Sequence, residues 1–297
     1  MKIFHFHVGS DKCASTVIQL VFSAKPMRKV MEQYSIDFPH QVFHSTLRLT
    51  KKRITSFQED ENYESERSLH FETLKNSPSK GFFMTQECFF GVTVDKGMSN
   101  SCQASCEAIS YLTEGFDTRI IIVFRRQDTY LESTYNQLIK RGETRTFDAF
   151  LDDVPLENLK WDAVADTYAD GFENDKVTVV PFEKKVLQTG GIGQIIEGIT
   201  AAMGMSEKFE EEPPVVNPSI APSVLERQRQ ANMNLSEEDA LQHTEWLIAT
   251  YPKEQHEPHN LMSEDDRRRL IEFYRESNAR LVDKYMQGYD GGYYLSL

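Results

Sequence analysis

The sequence has few cysteines and little positive charge. Its 297 residues contain 4 Cys, none of them in a C-x-x-C pair, so neither a disulfide framework nor a cysteine-rich zinc site is expected. We interpret Cys13, Cys88, Cys102 and Cys106 as buried small hydrophobic residues. With 33 Lys and Arg against 46 Asp and Glu, the formal net charge is −13, and the clustered basic surface of a nucleic-acid-binding protein is not expected. An anionic ligand must therefore meet a local positive pocket.

Long apolar runs, internal repeats and low-complexity tracts are also missing. The first segment, Met1 to Val8, is too short and too polar for a signal peptide or a membrane span, which predicts a cytoplasmic protein without one. The 39% hydrophobic residues and 19 Phe are typical of a globular chain. A chain of this length can form one α/β domain with additions.

Strands and helices are predicted to alternate over the first two thirds of the chain. A β-rich segment, Lys2 to Val8, leads through the loop Gly9 to Lys12 into a helix from Ser15 to Phe22. Later apolar runs predict buried strands at Gly81–Thr85, Arg119–Phe124 and Val177–Val180, and helical spacing predicts a helix over Asp128–Lys140 that stops at Gly142. This order predicts an α/β fold with a three-layer, P-loop-like parallel sheet flanked by helices.

The remaining segments predict the domain organisation. Residues 51–79 are polar and charged, and we expect them to form a solvated excursion. After Pro214 the pattern becomes helical, over Ser223–Met233, Ser236–Ala249 and Ser263–Gln287. We therefore expect a single domain over 1–297, with an α/β core at 1–205 and a helical C-terminal extension at 206–297.

The loop after the first strand has the composition of an anion site. It reads Gly9-Ser10-Asp11-Lys12-Cys13-Ala14-Ser15-Thr16 and ends at a helix start, where backbone N–H groups, the helix dipole and Lys12 converge. It differs from a Walker A loop, which would have glycine at 14 and lysine at 15, whereas here the lysine stands three residues earlier.

A second strand ends in Arg125-Arg126, and Ser133 follows Arg125 by eight residues on the predicted helix. Arginine offers paired donors to a phosphate, and serine adds one hydroxyl. A solvated strand end for the arginines and a plain helix-face hydroxyl for Ser133 are the alternative interpretations. Because the carboxyl ends of parallel strands meet at one edge of a sheet, this pair and the first loop are expected to lie close together.

In these two units the sequence resembles the sulfotransferase family, whose members bind 3′-phosphoadenosine 5′-phosphosulfate (PAPS) and release 3′-phosphoadenosine 5′-phosphate (PAP). The resemblance implies that Lys12, Ser15 and Thr16 hold the 5′-phosphosulfate and that Arg125 and Ser133 hold the 3′-phosphate. The implied donor site comprises Gly9, Lys12, Cys13, Ala14, Ser15, Thr16, Arg125 and Ser133. Two residues depart from the family loop: Ala14 stands in place of its glycine, and Cys13 in place of its Ser or Thr. Ala14 is expected to restrict the backbone conformation of the loop.

Transfer to a hydroxyl also needs a base. We predict Glu87, which follows the strand Gly81 to Thr85 where the family carries a catalytic His or Glu; a carboxylate that stabilises a helix start is the alternative interpretation. His7, adjacent to the loop, is the second candidate, although a core histidine is the commoner role for it and for His5. Glu183 is a weaker candidate.

The resemblance implies transfer of a sulfuryl group from PAPS to a hydroxyl of a carbohydrate, lipid or other small-molecule acceptor, with Lys12 and Glu87 as catalytic residues. It implies no metal, and His243, His256 and His259 lack the spacing of a metal site. Two alternatives remain open: a kinase-like phosphotransferase that uses ATP and Mg²⁺, and a relative that binds a nucleotide without turnover.

Overall fold

A computed structural model describes residues 1–10, 12–39, 46, 50, 63–92, 94, 101–182, 191–206, 219–252, 261–289 and 291–296. The strands in these ranges are β1 (Ile3–His7), β2 (Ile36–Asp37), β3 (Gly81–Thr85), β4 (Asp117–Arg125) and β5 (Val177–Phe182). They form one sheet in the order β2-β3-β1-β4-β5, and every pairing is parallel. The predicted α/β fold with a parallel sheet is therefore confirmed.

Helices connect the strands, because parallel neighbours need long crossovers. Among the described residues, short 3₁₀ turns lie at Glu87–Phe89, Leu156–Leu159 and Asn174–Lys176. The helices are α1 (Ser15–Ser23), α2 (Lys25–Gln33), α3 (Tyr63–Asn76), α4 (Cys102–Leu112), α5 (Gln127–Lys140), α6 (Phe147–Asp153), α7 (Trp161–Phe172), α8 (Gly191–Ala202), α9 (Pro222–Asn234), α10 (Glu237–Thr250), α11 (Glu264–Tyr285) and α12 (Gly292–Leu295).

The sheet lies between two helical layers. Along β4 the side chains alternate, so that Ile120, Ile122 and Phe124 enter one apolar cluster and Ile121 and Val123 enter another. Residues of α4 and α7 share the first cluster, and residues of α1 and α8 share the second. Both faces of the sheet are thus buried, which is the expected three-layer arrangement.

The register brings three strand ends to one edge. His7, the last residue of β1, pairs with Thr85 of β3 on one side and with Ile121 of β4 on the other. The segments that follow β1, β3 and β4 therefore begin at the same edge of the sheet. The fold thus brings the loop after β1 and Glu87 to the edge at which β4 ends in Arg125.

Within the solvated excursion expected at 51–79, residues 63–76 form a helix, α3, which the sequence did not predict. Tyr63, His70 and Leu74 are buried, while most other residues of α3 face solvent. These three residues recur at helical spacing and form a narrow apolar stripe, which is too sparse to stand out in a charged sequence. Residues 51–62 lie outside the described residues.

The strand predicted at Val177–Val180 continues through Pro181 and Phe182. Proline is tolerated because, among the described strands, β5 pairs only with β4 and so forms an edge of the sheet. The extension pairs Phe182 with Arg125 at the end of β4. Glu183 lies outside the described residues.

The predicted C-terminal helices are confirmed as α9, α10 and α11. Ser236 caps α10 by accepting the N–H of Asp239 at 3.2 Å, and Ser263 caps α11 by accepting the N–H of Asp266 at 3.1 Å. Helix α11 packs against α7, α5 and β5. The boundary expected between 205 and 206 stays a prediction, since residues 207–218 lie outside the described part of the chain.

Three of the four cysteines, Cys13, Cys102 and Cys106, are buried as expected. The Cys106 thiol donates to the Thr167 carbonyl at 3.5 Å, and burial raises its pKa to about 12. A thiol with so high a pKa is poorly reactive, which fits a packing role.

None of the described helices has both the length and the apolar character needed to cross a bilayer.

Candidate functional site

The loop after β1 is tied to strand β4. The N–H of Ser10 donates to the Val123 carbonyl at 2.9 Å, and the N–H of Val123 donates to the Gly9 carbonyl at 2.8 Å. The Ser10 hydroxyl also donates to the Val123 carbonyl, at 3.1 Å. The pairing of the two strands therefore continues beyond His7 and fixes the first half of the loop. Asp11 lies outside the described residues.

Helix α1 begins at Ser15, directly after this loop, and has no acidic residue in its first turn. Its N-cap is Ala14, whose side chain has no acceptor atom, so no side chain caps this helix. The N–H groups of the first turn and the positive end of the helix dipole could thus bind an anion at the loop. Lys12 is half-buried, Ser15 is buried and Thr16 is exposed.

Ala14 has a left-handed backbone conformation, with φ of 61°. Lys12 shares this conformation, with φ of 63°. Glycine adopts it readily, whereas an L-residue with a side chain pays about 1–2 kcal/mol. Residue 14 therefore has the backbone conformation that a glycine would adopt, and the alanine there is strained. This strain is how Ala14 restricts the backbone of the loop, as expected from the sequence.

The Cys13 side chain is directed into the protein. It is fully buried in the apolar cluster that contains Val17, Val21 and Phe22, and its sulfur lies 3.0 Å from the Ser10 hydroxyl. Only the backbone of Cys13 therefore borders the loop surface. Of Cys13, which was predicted to line the PAPS site, only the backbone could contact a ligand there.

Arg125 joins the two predicted anion-binding units. Its Nη1 donates to the carbonyl of Lys12 at 3.4 Å, and its Nε donates to the Thr129 hydroxyl at 3.1 Å. The guanidinium lies 5.3 Å from the ring centroid of Phe182. The Arg125 carbonyl accepts the indole N–H of Trp161 at 2.8 Å, which fixes the strand end from the opposite side. The guanidinium is thus held beside the loop after β1.

Ser133 lies on α5, one turn after Thr129. Residues four apart share a helix face, so Ser133 lies on the face whose preceding turn contacts Arg125. It is half-buried. Tyr135, on the same helix, packs against Phe147 in the core and donates its hydroxyl to the Arg145 carbonyl.

Arg126 has a different environment from Arg125. It is only 5% exposed and forms a two-point ion pair with Asp128, at 2.8 and 2.9 Å. Asp128 also pairs with Arg267, and these arginines hold the pKa of Asp128 below its usual value. The interpretation of both arginines as a solvated strand end is wrong for Arg126, because its charge is neutralised inside the protein.

Glu87 lies next to the loop, in the 3₁₀ turn after β3. A Cβ atom on Gly9, whose φ is +116°, would come within 3.3 Å of the Glu87 Cα. The absence of a side chain at Gly9 therefore lets the two segments touch. The carboxylate of the half-buried Glu87 accepts a hydrogen bond from Gln19 Nε2 at 2.8 Å, which orients it from helix α1.

His7 is fully buried, and its Nδ1 shares a 2.7 Å hydrogen bond with the Thr85 hydroxyl. Its Nε2 has no hydrogen-bond partner among the described residues. Burial lowers the pKa of His7 to about 3 and that of His5 to about 4, so both rings are neutral near pH 7. A ring with this pKa has little driving force to take up a proton.

The other histidines form no metal site within the ranges described. Among these residues no three His, Cys, Asp or Glu side chains cluster closely enough to hold a metal ion. His243 shares a 2.8 Å hydrogen bond with Gln228. His256 and His259 lie outside the described residues.

Sequence reasoning did not identify Gln19, Thr129 or Phe182 as neighbours of the site. Two of them had a usable signal, since Gln19 follows Ser15 by one helical turn and Thr129 precedes Ser133 by one. Phe182 had none, because its contact with Arg125 depends on the register between β4 and β5.

The chain was compared with known families, curated proteins and solved structures. No model of a known protein family matches the chain. A curated protein from Archaeoglobus fulgidus, described as uncharacterized, is 23% identical over 171 residues, which span 57% of this chain and 46% of that protein. The chain thus covers about half the length of this relative.

Among solved structures, a sulfotransferase from Alicyclobacillus acidocaldarius aligns with 94% of each chain, at 13% identity and a TM-score of 0.48. Neither match assigns the chain to a family, so function is inferred from the residues of the site.

The strain at residue 14 predicts the effect of a single substitution. Ala14→Gly should raise the free energy of unfolding by about 0.5–1 kcal/mol, because relief of the left-handed strain exceeds the added entropy of the unfolded chain. Urea unfolding of the two proteins measures this difference. Ala24→Gly is the control. Ala24 has φ of −70°, so this substitution relieves no strain and should not raise the free energy of unfolding. Equal effects at both positions would contradict the prediction.

Proposed function

We propose that the protein is a sulfotransferase that binds PAPS and transfers its sulfuryl group to an acceptor hydroxyl. One observation carries the proposal: the Arg125 guanidinium donates to the backbone of Lys12 at 3.4 Å. This contact joins the end of β4 to the loop after β1. A ligand with separate anionic groups on one ribose could therefore reach both units, and PAPS has such groups at its 3′ and 5′ positions.

The residues present fit the two anionic groups of this donor. The uncapped start of α1, with Lys12 beside it, offers N–H donors and one positive charge to the 5′ group. Arg125 and the Ser133 hydroxyl offer charge-assisted donors to the 3′-phosphate. The protein has a net charge of −13, so these local cations are the groups that would select an anion.

Lys12 is proposed to act during transfer. The bound donor supplies the sulfuryl group together with a phosphate that serves as leaving group. Negative charge grows on the oxygens of that phosphate as the bond to sulfur breaks, and the Lys12 ammonium would stabilise it. The loop fixes the Lys12 backbone through the Arg125 contact, so this charge needs little rearrangement to act.

Glu87 is proposed to take the proton of the acceptor hydroxyl. It touches the loop through Gly9, and its hydrogen bond to Gln19 orients the carboxylate from the same helix whose start would hold the donor. His7 is the weaker candidate, because it is fully buried and its pKa is lowered to about 3. The two remaining alternatives are a phosphotransferase that uses ATP and Mg²⁺ and a nucleotide-binding protein without turnover.

Ligand-induced stabilisation tests donor selectivity. PAP at 100 times its Kd should add about 2.7 kcal/mol and raise the Tm by about 2–4 °C for each kcal/mol. The same concentration of 5′-AMP should have a much smaller effect, because only the 3′-phosphate engages Arg125. Thermal unfolding with PAP, 5′-AMP and ATP with Mg²⁺ makes the comparison. A larger shift with ATP that disappears on chelation would favour the phosphotransferase instead.

Lys12→Ala should lower kcat by about a hundredfold and change the Kd of PAP less than tenfold, because the stabilised charge develops in the transition state. Release of PAP from PAPS is measured with the acceptor that a screen of saccharides, lipids and phenols selects. Lys29→Ala removes an exposed charge from α2 and should leave kcat unchanged. An unaltered kcat in Lys12→Ala would remove Lys12 from the mechanism.

Glu87→Gln keeps the shape of the side chain but removes its basicity, so kcat should fall by about a hundredfold or more while PAP binding survives. Rate measurements and PAP titrations on the same preparations separate the two effects. Glu72→Gln, at an exposed position on α3, is the matched control. Retention of full activity in Glu87→Gln would show that Glu87 is not the base, and His7 would then be the next candidate.

A further inference from the structure

The two arginines at the end of β4 differ in how far the chain itself occupies their donors. Arg126 donates through Nε and Nη2 to the Asp128 carboxylate, at 2.8 and 2.9 Å. Its Nη1 donates to the carbonyls of Tyr293 and Ser296 in the C-terminal segment, residues 291–296, at 2.8 and 2.7 Å. Each nitrogen of the Arg126 guanidinium is therefore held by the protein.

Arg125, in contrast, has donors to spare. Its Nε donates to the Thr129 hydroxyl at 3.1 Å and its Nη1 to the Lys12 carbonyl at 3.4 Å, and both acceptors are uncharged. The other three of the five guanidinium N–H groups have no acceptor among the residues that the structure describes. Arg125 is only half-buried, so a ligand can reach it. An anion could therefore take these N–H groups without displacing either contact.

The first two acids that follow Arg125 in the sequence are engaged elsewhere. Asp128 pairs with Arg126 and with Arg267, and Glu132 pairs with Arg267 at 2.8 Å. Within the described ranges, Arg125 therefore keeps a positive charge with which no carboxylate pairs, and such a charge suits a phosphate.

Thr129 restricts the orientation of this guanidinium. Its hydroxyl donates to the Arg126 carbonyl at 3.0 Å, and a hydroxyl has a single proton, so toward Arg125 it serves as the acceptor. The Nε contact with Thr129 and the Nη1 contact with Lys12 lie at two different points of a planar group. Together they limit its rotation and hence the directions of the remaining N–H groups.

The same helix face carries the other proposed ligand of the 3′-phosphate. Thr129 and Ser133 are four residues apart on α5, so they lie on one face. The Arg125 guanidinium is therefore held one helical turn before Ser133 along α5. Different oxygens of one phosphate can accept from the guanidinium and from the Ser133 hydroxyl.

Resting on the proposed function, we infer that Thr129 is a positioning residue for the 3′-phosphate site and a determinant of the preference for PAP over 5′-AMP. By accepting from Arg125 Nε, its hydroxyl holds the guanidinium on the Ser133 face of α5 and leaves the other N–H groups for the phosphate. Thr129 does not itself donate to the phosphate, because its proton is committed to the Arg126 carbonyl. Its effect on binding therefore passes through Arg125.

The test compares the wild-type chain with Thr129→Val, which keeps the branched shape of the side chain but removes the hydroxyl. Calorimetric titration gives the Kd of PAP and of 5′-AMP for each protein. We expect the Kd of PAP to rise about tenfold and that of 5′-AMP to stay the same, because 5′-AMP has no 3′-phosphate. Thr129→Ser keeps the hydroxyl and should bind both ligands as the wild type does.

Thr167→Val is the matched control. Thr167 of α7 is another helical threonine whose hydroxyl donates to a backbone carbonyl, that of Ala163 at 2.9 Å, and its replacement should change neither Kd. Thr129→Ala also lacks the hydroxyl, and alanine suits a helix better than valine. It provides the same comparison if Thr129→Val does not fold.

A double-mutant cycle tests whether Thr129 acts through Arg125. In the Arg125→Ala background the guanidinium is absent, so adding Thr129→Val should leave the Kd of PAP unchanged. The same tenfold loss in both backgrounds would show that Thr129 acts independently of Arg125 and would overturn the inference.

The outcomes also separate the inference from the proposed function. If the wild-type chain binds PAP no better than 5′-AMP, the proposed function fails and the inference fails with it. If the wild-type chain selects PAP and Thr129→Val selects it equally well, only the inference is overturned. An equal loss for both ligands, or an equal loss in Thr129→Ser and Thr129→Val, would assign Thr129 a structural role and would also overturn it.

Discussion

The attachment of the β1 loop to strand β4 is the constraint on which the candidate site depends. Backbone bonds between Gly9, Ser10 and Val123 extend the sheet by two residues, and the Arg125 side chain then reaches the carbonyl of Lys12. Because these bonds join the central strand to its neighbour, the loop cannot move independently of the end of β4. Two candidate anion-binding units that are far apart in sequence are thereby brought together, and Glu87 packs against the loop at Gly9.

Much of this architecture could be predicted from local patterns. The strands are short apolar runs that end in polar residues, and the last helices begin with Ser236 and Ser263, whose hydroxyls accept N–H groups of the first turn. Such signals involve neighbouring residues, so the sequence displays them directly. Helix α3 was not predicted because it has few buried positions. Tyr63, His70 and Leu74 are separated by polar and charged residues that dominate the composition of this segment.

The contacts that orient the site side chains could not be predicted in this way. Gln19 and Glu87 are 68 residues apart, and Arg126 and Tyr293 are 167 apart. Each pair depends on the register of several strands and on the packing of helices above them, which no local pattern encodes. The burial of His7 has the same origin, since its environment comes from β3, β4 and the loop together. Residue type and strand position were enough to nominate candidates, whereas their partners required the three-dimensional fold.

The two arginines at the end of β4 illustrate this difference best. They are chemically identical neighbours, but Arg125 is the last residue of β4 and Arg126 is the N-cap of α5. Arg125 extends toward the loop and Thr129, whereas Arg126 extends toward Asp128 and the C-terminal segment. The carboxylate of Asp128 neutralises Arg126, whereas Arg125 is directed to the loop that contains Lys12. A buried ion pair adds little net stability by itself. Its consequence here is geometric: it fixes the backbone from which Arg125 extends, and so links the order of the C-terminal segment to the position of the candidate anion site.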